Sequence, residues 1–180
     1  MFPIDLEDLS LHILDIVENS IDAGSDSISI KIDEDTNTDR LTIEIDDNGK
    51  GMDAETIKKA LDPFYTSKTV RRVGLGLPMF RQAALAAGGE FDIRSVPGRG
   101  TQVRAVFQHS HIDRMPLGDV SKTLLTLLMG HPEVQFSYTF RRDDCEWRFD
   151  TEEFASGDSL STMDTLQRIR VFRQHWPKMS

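Results

Sequence analysis

The sequence predicts an α+β fold, a two-layer sandwich in which helices cover one face of a mixed β-sheet. Apolar side chains recur every three to four residues over residues 6–20, which is typical of an amphipathic helix. Isoleucine and leucine alternate with polar residues over 28–32 and 41–45, on either side of the turn-rich segment DEDTNTDR, which indicates a half-buried hairpin. Further helical and alternating segments follow along the chain, so both element types contribute to one core.

The next elements complete the predicted first unit, residues 1–110. They are a glycine-bearing loop at 46–52, a short helix at 53–61, a polar and basic loop at 62–75, a helix at 77–87 and two strands at 90–96 and 101–108. Gly88 and Gly89 end the last helix, and the turn Pro97-Gly98-Arg99-Gly100 joins the strands. The loop at 62–75 has no regular period, and one interpretation of it is a lid.

Residues 111–180 form a predicted C-terminal extension. Its pattern indicates a helix near 119–129, strands near 134–142 and 145–150, and a last helix near 160–175. Either a small subdomain or a continuation of the first sheet fits this pattern. Its large apolar residues are predicted to form core and not a peptide groove; they are Leu124, Leu125, Leu128, Val134, Phe136, Tyr138, Phe140, Trp147 and Phe149.

Composition excludes several classes of protein. The chain has 180 residues, of which 38% are hydrophobic and 28% charged, as in soluble globular proteins. Its N-terminal segment MFPIDLEDLS is acidic where a signal peptide is basic, and no apolar run is long enough to span a bilayer, so we expect no membrane segment and a cytoplasmic location. The single cysteine, Cys145, rules out an internal disulfide or a zinc finger.

Charge is distributed unevenly along the chain. The net charge is -9, which disfavours non-specific binding to nucleic acid. Residues 67–110, however, hold 7 lysines and arginines against 2 acidic residues. This locally basic middle indicates a bound anion.

Asp15 and Asn19 form the first candidate constellation. They lie four residues apart and therefore on one face of the first predicted helix. An asparagine oxygen is a suitable ligand for Mg²⁺, and a carboxylate one turn earlier could orient an attacking water. The alternative interpretation is an ordinary solvated polar face.

Two glycine-rich segments form the other constellations. Asp47-Asn48-Gly49-Lys50-Gly51-Met52 follows a strand, where glycines allow close approach to a flat ligand and a carboxylate can accept from an amine. Gly74-Leu75-Gly76-Leu77-Pro78 precedes a helix, next to Lys68 and two arginines, an arrangement suited to phosphate oxygens. Simple turns are the alternative interpretation of both segments.

Together the three segments resemble the Bergerat-type ATP-binding fold of the GHKL superfamily, which includes DNA gyrase, heat-shock chaperones, sensor histidine kinases and mismatch-repair ATPases. The resemblance covers residues 8–108. HILDIVENSIDAG resembles the N-box, DDNGKGM the G1 box, DPFYTSK the F-box and VGLGLP the G2 box, while PGRGT is similar to the late glycine-threonine segment near the adenine. Four ordered motifs at the family's spacing make the resemblance specific.

The resemblance implies ATP and Mg²⁺ as cofactors and assigns roles to these residues. Asn19 would bind Mg²⁺, and Asp15 would occupy the position of the general base, where most members carry a longer glutamate. Glu18 lies about 100° away around the helix and should point elsewhere. The adenine contacts would come from Asp47, Gly49, Gly51, Met52 and Thr101, and the phosphate contacts from Lys68, Gly74, Leu75, Gly76 and Leu77.

The resemblance further implies a free-standing cytoplasmic protein, similar to a histidine-kinase catalytic domain or an anti-sigma-factor kinase. It would act on a protein partner as a phosphotransferase or slow ATPase. The alternative is an ATP-controlled interaction module with little turnover. A DNA-acting ATPase is disfavoured by the charge, and a homodimer is left open. His12 and His131 are interpreted as structural and not as phosphoacceptors, and the same holds for His109, His111 and Asp113 as metal ligands.

Overall fold

The structure is a computed structural model that describes residues 8–64 and 76–152. Its elements are α1 (Leu9–Asp22), β1 (Ser27–Asp35), β2 (Arg40–Asp47), α2 (Ala54–Ala60), α3 (Gly76–Ala86), β3 (Glu90–Val96), β4 (Gly100–Gln108), α4 (Val120–Gly130), β5 (Gln135–Arg142) and β6 (Cys145–Asp150). They follow the predicted order with small shifts at their ends. The predicted helix at 160–175 and most of the predicted loop at 62–75 lie outside the described residues.

The helix α1 begins at Leu9, later than the predicted start at residue 6, which is itself outside the described residues. Asp8 explains this start, because its carboxylate accepts a hydrogen bond of 3.1 Å from the backbone N–H of Leu11. Such a cap satisfies a donor that the first turn of a helix leaves unpaired. Leu9, Ile13, Ile16 and Val17 of α1 are then buried in the core, whereas Leu11 and Asp15 are exposed.

All six described strands form one mixed sheet in the order β3-β4-β2-β1-β5-β6. The hairpin β1–β2 occupies its centre, and β5 pairs with β1 in parallel, whereas every other neighbouring pair is antiparallel. In the pairing of β2 with β4, Asp47 lies directly opposite Thr101. This register brings two residues that are 54 positions apart to one end of the sheet.

The helices α1, α3 and α4 pack on one face of the sheet, and α1 contacts both of the others. The residues on this face of β1 and β2 are almost fully buried, namely Ile28, Ile30, Ile32, Leu41, Ile43 and Ile45. On the opposite face Lys31, Glu44 and Arg104 are neighbours in register, with Arg104 Nε 2.9 Å from Glu44 Oε1. One apolar and one charged face is the pattern of a two-layer sandwich, so the predicted fold class is confirmed.

The described part of the C-terminal extension continues the same sheet. Because β5 pairs with β1 along its whole length, the strands β5 and β6 extend the sheet beyond the central hairpin. The helix α4 lies against α1, where the Thr123 hydroxyl donates to the carbonyl of Ser10 at 3.3 Å. The predicted core role of the extension's apolar residues is confirmed, since all of those named above are buried except Trp147, which is partly buried. The division of the chain near residue 110 stays a prediction.

Candidate functional site

A cavity of about 550 Å³ opens beside the ends of β2 and β4. Its described walls are formed by Ile16, Asn19, Ser20, Asp22 and Ala23 of α1 and its end, by Asp47, Lys50, Gly51 and Met52, by Thr56, Lys59 and Ala60 of α2, and by Leu77, Thr101 and Val103. Apolar side chains supply most of the surface, and a few polar groups converge on it. This combination is typical of a site for a small organic ligand.

Asp47 is the best-anchored polar residue of the cavity. Its Oδ1 atom accepts from the backbone N–H groups of Gly49 at 2.9 Å and Thr101 at 3.2 Å. Its Oδ2 atom accepts from the Ser20 hydroxyl at 2.7 Å. Three donors from three segments fix the carboxylate in one orientation, which suits a group that must meet a ligand in a defined geometry.

Two glycines permit the close backbone contacts that shape this end of the sheet. Gly51 has φ +66°, and a Cβ atom placed on it would lie 2.0 Å from the carbonyl oxygen of Val96. Gly100 has φ +92°, and its Cβ would lie 1.8 Å from the carbonyl oxygen of Asp47. Neither the backbone angle nor the space admits another residue without rearrangement. The glycines of the loop therefore support the cavity wall itself.

Ser95 links the loop after β2 to Thr101. Its hydroxyl oxygen accepts from the backbone N–H of Met52 at 2.7 Å and donates to the carbonyl of Gly100 at 3.0 Å. The Thr101 hydroxyl lies 2.8 Å from the same oxygen. This serine thus holds together the two segments that contribute Met52 and Thr101 to the cavity.

Asp15 and Asn19 lie where α1 meets the start of α3. A Cβ atom placed on Gly76 would lie 3.2 Å from Asp15 Cβ and 3.7 Å from Asn19 Nδ2, so the beginning of α3 packs directly against both residues. The predicted first and third constellations are therefore adjacent in space. Asn19 lines the cavity, and Asp15 is exposed one turn earlier on the same face of α1.

Glu18 points away from this face, as the sequence analysis expects. Its carboxylate lies 3.1 Å from Nε2 of His131, at the end of α4. His131 also lies 3.6 Å from Glu133. His12 is 3% exposed, and its ring lies 5.7 Å from that of Phe80, which agrees with a structural role.

The other two histidines that the structure describes, His109 and His111, lie close to acidic residues. His109 Nε2 lies 2.7 Å from Glu34, and His111 Nδ1 lies 3.9 Å from Asp113. Within residues 8–64 and 76–152, no group of three or more histidine, cysteine, aspartate or glutamate residues could hold a metal ion.

The predicted site residues have different positions. Asn19, Asp47, Gly51, Met52, Leu77 and Thr101 line the cavity, whereas Gly49 and Gly76 contact these residues from behind. Lys68, Gly74 and Leu75 lie outside the described residues. The sequence analysis did not predict Ser20, Ser95, Lys50 and Lys59 as site residues. Ser20, Lys50 and Lys59 line the cavity, and the Lys59 ammonium pairs with Glu55 at 2.7 Å. Among these four residues, only Ser20 had a signal in the sequence, because it follows Asn19 and lies on the buried side of α1.

Two carboxyl groups near the cavity have shifted pKa values. Burial raises the pKa of Asp46, which precedes Asp47 on the opposite face of β2. Hydrogen bonds from Thr56, first of all from its backbone N–H, lower the pKa of Asp53. Asp53 caps α2, so its ionised form supports the helix that contributes Thr56 and Lys59 to the cavity wall.

Comparison with known families decides the class of protein. The model of the histidine kinase-, DNA gyrase B- and HSP90-like ATPase family matches residues 4–111. This chain belongs to the GHKL family. The resemblance drawn from the four motifs is thereby confirmed, and the cavity lies in the ATP-binding domain of a GHKL protein, like those of histidine kinases.

Several curated relatives of this GHKL chain are sensor proteins. It is 32% identical over 105 residues to a putative sensor protein of Shewanella frigidimarina, which is 57% of this chain and 16% of that protein. It is 39% identical over 89 residues to the sensor protein kinase FleS of Pseudomonas aeruginosa, which is 49% of this chain and 22% of FleS. The matches therefore span less than a quarter of either relative.

Mismatch-repair proteins also resemble this GHKL chain. The DNA mismatch repair protein MutL of Streptococcus sanguinis is 38% identical over 85 residues, which is 47% of this chain and 12% of MutL. Among solved structures, the MutL ATPase domain of Aquifex aeolicus in complex with ADP superposes with a TM-score of 0.57 at 15% identity. The match covers 93% of this chain and 70% of that domain, so the shared fold extends beyond residue 111.

Magnesium fits the residues that the cavity offers. Mg²⁺ is usually bound through one or two protein oxygens together with phosphates and waters. Asn19 supplies one amide oxygen at the wall, and the described residues contain no larger acidic cage. The donor set therefore suits an ion that enters with nucleotide phosphates.

Proposed function

We propose that this GHKL protein is an ATP-dependent phosphotransferase or slow ATPase that acts on a protein partner in the cytoplasm. The observation that carries the proposal is the position of Asp15. Asp15 lies on the face of α1 that also carries Asn19, and its Cβ atom lies 3.2 Å from the position of a Cβ placed on Gly76, the first residue of α3. Asn19, one turn later, lines the nucleotide cavity. A group for orienting a nucleophile and a group for holding a metal ion are then one helical turn apart.

Different residues of the cavity bind different parts of the nucleotide. Asp47 and Thr101 bind the base at the end of the sheet, while Asn19 and the start of α3 with Leu77 bind at the phosphate end. Lys68, Gly74 and Leu75 contribute further phosphate contacts under this proposal. Asp15 orients the attacking hydroxyl, imidazole or water. When bound through Asn19, Mg²⁺ supplies positive charge that offsets the charge of the phosphates.

The protein nature of the partner rests on the relatives and on charge. Two of them are a sensor protein and a sensor protein kinase. A net charge of -9 disfavours nucleic acid as a target. No helix within the described part of the chain is long and apolar enough to cross a membrane.

The test compares Asp15→Asn with Glu18→Gln. Glu18 is a matched control because it lies on the same helix but contacts His131 and not the cavity. With γ-labelled Mg-ATP and an extract from the source cell, we expect Asp15→Asn to lower label transfer or phosphate release by about 10²-fold or more. Both variants should bind ATP within about twofold of the unmodified protein, since neither change removes a base contact.

The outcomes separate the proposal from its alternative. Label on a protein identifies the phosphoacceptor, and free phosphate alone indicates an ATPase. Equal turnover by Asp15→Asn and the unmodified protein would refute the role of Asp15. ATP binding without turnover, accompanied by ATP-dependent capture of a partner, would favour the interaction module. The contact between Glu18 of α1 and His131 of α4 gives that module a physical route from the site to the extension.

A further inference from the structure

We propose that Ser20 and Ser95 are positioning residues that fix Asp47 and Thr101 as hydrogen-bond acceptors and thereby select the nucleobase. The inference rests on the proposed binding of the base by Asp47 and Thr101. Ser20 lies on α1 and also lines the cavity, whereas Ser95 lies on β3 outside the described cavity wall. Ser20 stands in the N-box segment HILDIVENSIDAG, where only its neighbour Asn19 was predicted as a site residue, and Ser95 lies outside all of the motifs.

Ser20 sets the orientation of the Asp47 carboxylate. The residue is 5% exposed, and its hydroxyl has two acceptors in reach, the Asp47 Oδ2 atom at 2.7 Å and the carbonyl of Ile16 at 3.1 Å. Its single proton favours the shorter, charge-assisted bond to the carboxylate. The amides of Gly49 and Thr101 occupy Oδ1, so Oδ2 keeps one lone pair for a ligand.

Ser95 sets the direction of the Thr101 hydroxyl. The Ser95 oxygen accepts from Met52 N–H, and its own proton goes to the carbonyl of Gly100. All contacts of Ser95 are satisfied together only if Thr101 donates its proton to Ser95. The Thr101 oxygen then presents lone pairs, and no proton, to the cavity.

Two fixed acceptors define the chemistry of the base. Asp47 requires a donor such as an exocyclic amine, because an ionised carboxylate can only accept. Thr101 requires a donor as well, which a water molecule provides if it donates one proton to Thr101 and the other to a ring nitrogen. A 6-aminopurine with an unprotonated neighbouring ring nitrogen meets both requirements. A base with a carbonyl group opposite Asp47 does not.

The test for Ser20 uses diphosphates, which bind without turnover. Calorimetry would measure the affinities of ADP and of purine riboside 5′-diphosphate, which lacks the amine, for the unmodified protein, for Ser20→Ala and for Ser25→Ala. We expect the unmodified protein to prefer ADP by about tenfold or more, and Ser20→Ala to reduce that preference to about threefold or less. Ser25 is the matched control, because it is equally buried but bonds to Asn48 and Ser27.

The test for Ser95 uses 1-deaza-ADP, which keeps the amine and lacks the ring nitrogen. Ser95→Ala should reduce the preference for ADP over 1-deaza-ADP by about threefold or more, and Ser20→Ala should leave that preference unchanged. Ser95→Thr retains the hydroxyl on a strand and should keep the preference. Each preference is a ratio of two affinities for one protein sample, so partial unfolding of a variant cancels from it.

The results distinguish failure of the inference from failure of the proposed function. If the unmodified protein binds neither ADP nor its analogues, the proposed function is wrong and the inference falls with it. If ADP binds and both ratios are the same in Ser20→Ala, Ser95→Ala and Ser25→Ala, the serines are structural and only the inference is overturned. Selective loss of one ratio in each variant supports it.

Discussion

Gly51→Ala tests whether the loop after β2 contacts the end of β3 as closely as the structure shows. Two penalties apply to alanine at this position. A φ of +66° costs an L-residue about 1–2 kcal/mol. A Cβ only 2.0 Å from the carbonyl oxygen of Val96 also forces the backbone of one segment to move, which costs about 1–3 kcal/mol. The expected loss in the free energy of unfolding is therefore about 3 kcal/mol.

Gly98→Ala separates the two penalties. Gly98 has φ +77° but no atom within 4 Å of its would-be Cβ, so it carries only the backbone term of about 1–2 kcal/mol. Urea unfolding followed by circular dichroism measures both variants, and with a slope of about 2 kcal/mol per molar, Gly51→Ala should lower the midpoint by roughly 1.5 M. A loss no larger than that of Gly98→Ala would refute the close approach of Gly51 to Val96.

Three further substitutions test the site and the core. Asp47→Asn should lower ADP affinity about 10- to 100-fold in calorimetry, because an amide turns one of the acceptor atoms into a donor; undiminished affinity would exclude Asp47 as a base contact. Phe80→Ala should lower the free energy of unfolding by about 3–5 kcal/mol, since Phe80 is fully buried against Phe107, and a loss below about 1 kcal/mol would contradict that packing. Asp119→Ala should cost about 1 kcal/mol at neutral pH, because Asp119 caps α4. Hydrogen bonds, first of all that from the Ser121 hydroxyl, lower the pKa of Asp119 below its ordinary value of 3.8. The stabilisation of the folded protein by ionised Asp119 is therefore fully present above pH 3.8 and is lost as the pH falls through the lower pKa of the folded state. Urea titrations of Asp119→Ala should therefore converge with those of the unmodified protein in acid, and a constant difference would disprove the cap.

The described secondary structure was predictable because its periodicities are strong. Alternating isoleucines in β1 and β2 and the helical spacing in α1 place most of the large apolar residues of these elements on one face, with Leu11 of α1 as an exposed exception. Periodicity does not specify which strands become neighbours. The sequence therefore left open whether residues 111–180 form a small subdomain or continue the first sheet. The structure pairs β5 with β1 in parallel, a contact that depends on the path of the whole connection through α4.

The motifs of the candidate site were predictable from the sequence, but the hydrogen bonds that connect their residues were not. Asp47 and Asn19 could be predicted as site residues because a carboxylate after a strand can accept from a ligand amine and an amide on a helix can bind a metal ion. The same does not hold for Ser20 and Ser95, since most serines only satisfy local backbone groups. Their importance arises from the register that sets Ser95 and Asp47 opposite Thr101 in β4 and from the close packing of α1 on β2.

The helix α1 combines three tasks by distributing its residues around its axis. Ile13 and Val17 point into the core, Asp15 and Asn19 share the face against α3, and Glu18 reaches His131 at the end of α4. Successive residues of a helix are separated by about 100°, so neighbouring positions contact different partners. Under the proposed function a nucleotide contacts Asn19, so a displacement of α1 on binding would also shift the surface on which α4 packs. The same geometry makes Glu18, adjacent in sequence to Asn19 but separate from the cavity, the position at which the α1–α4 contact can be altered while the residues that line the cavity remain unchanged.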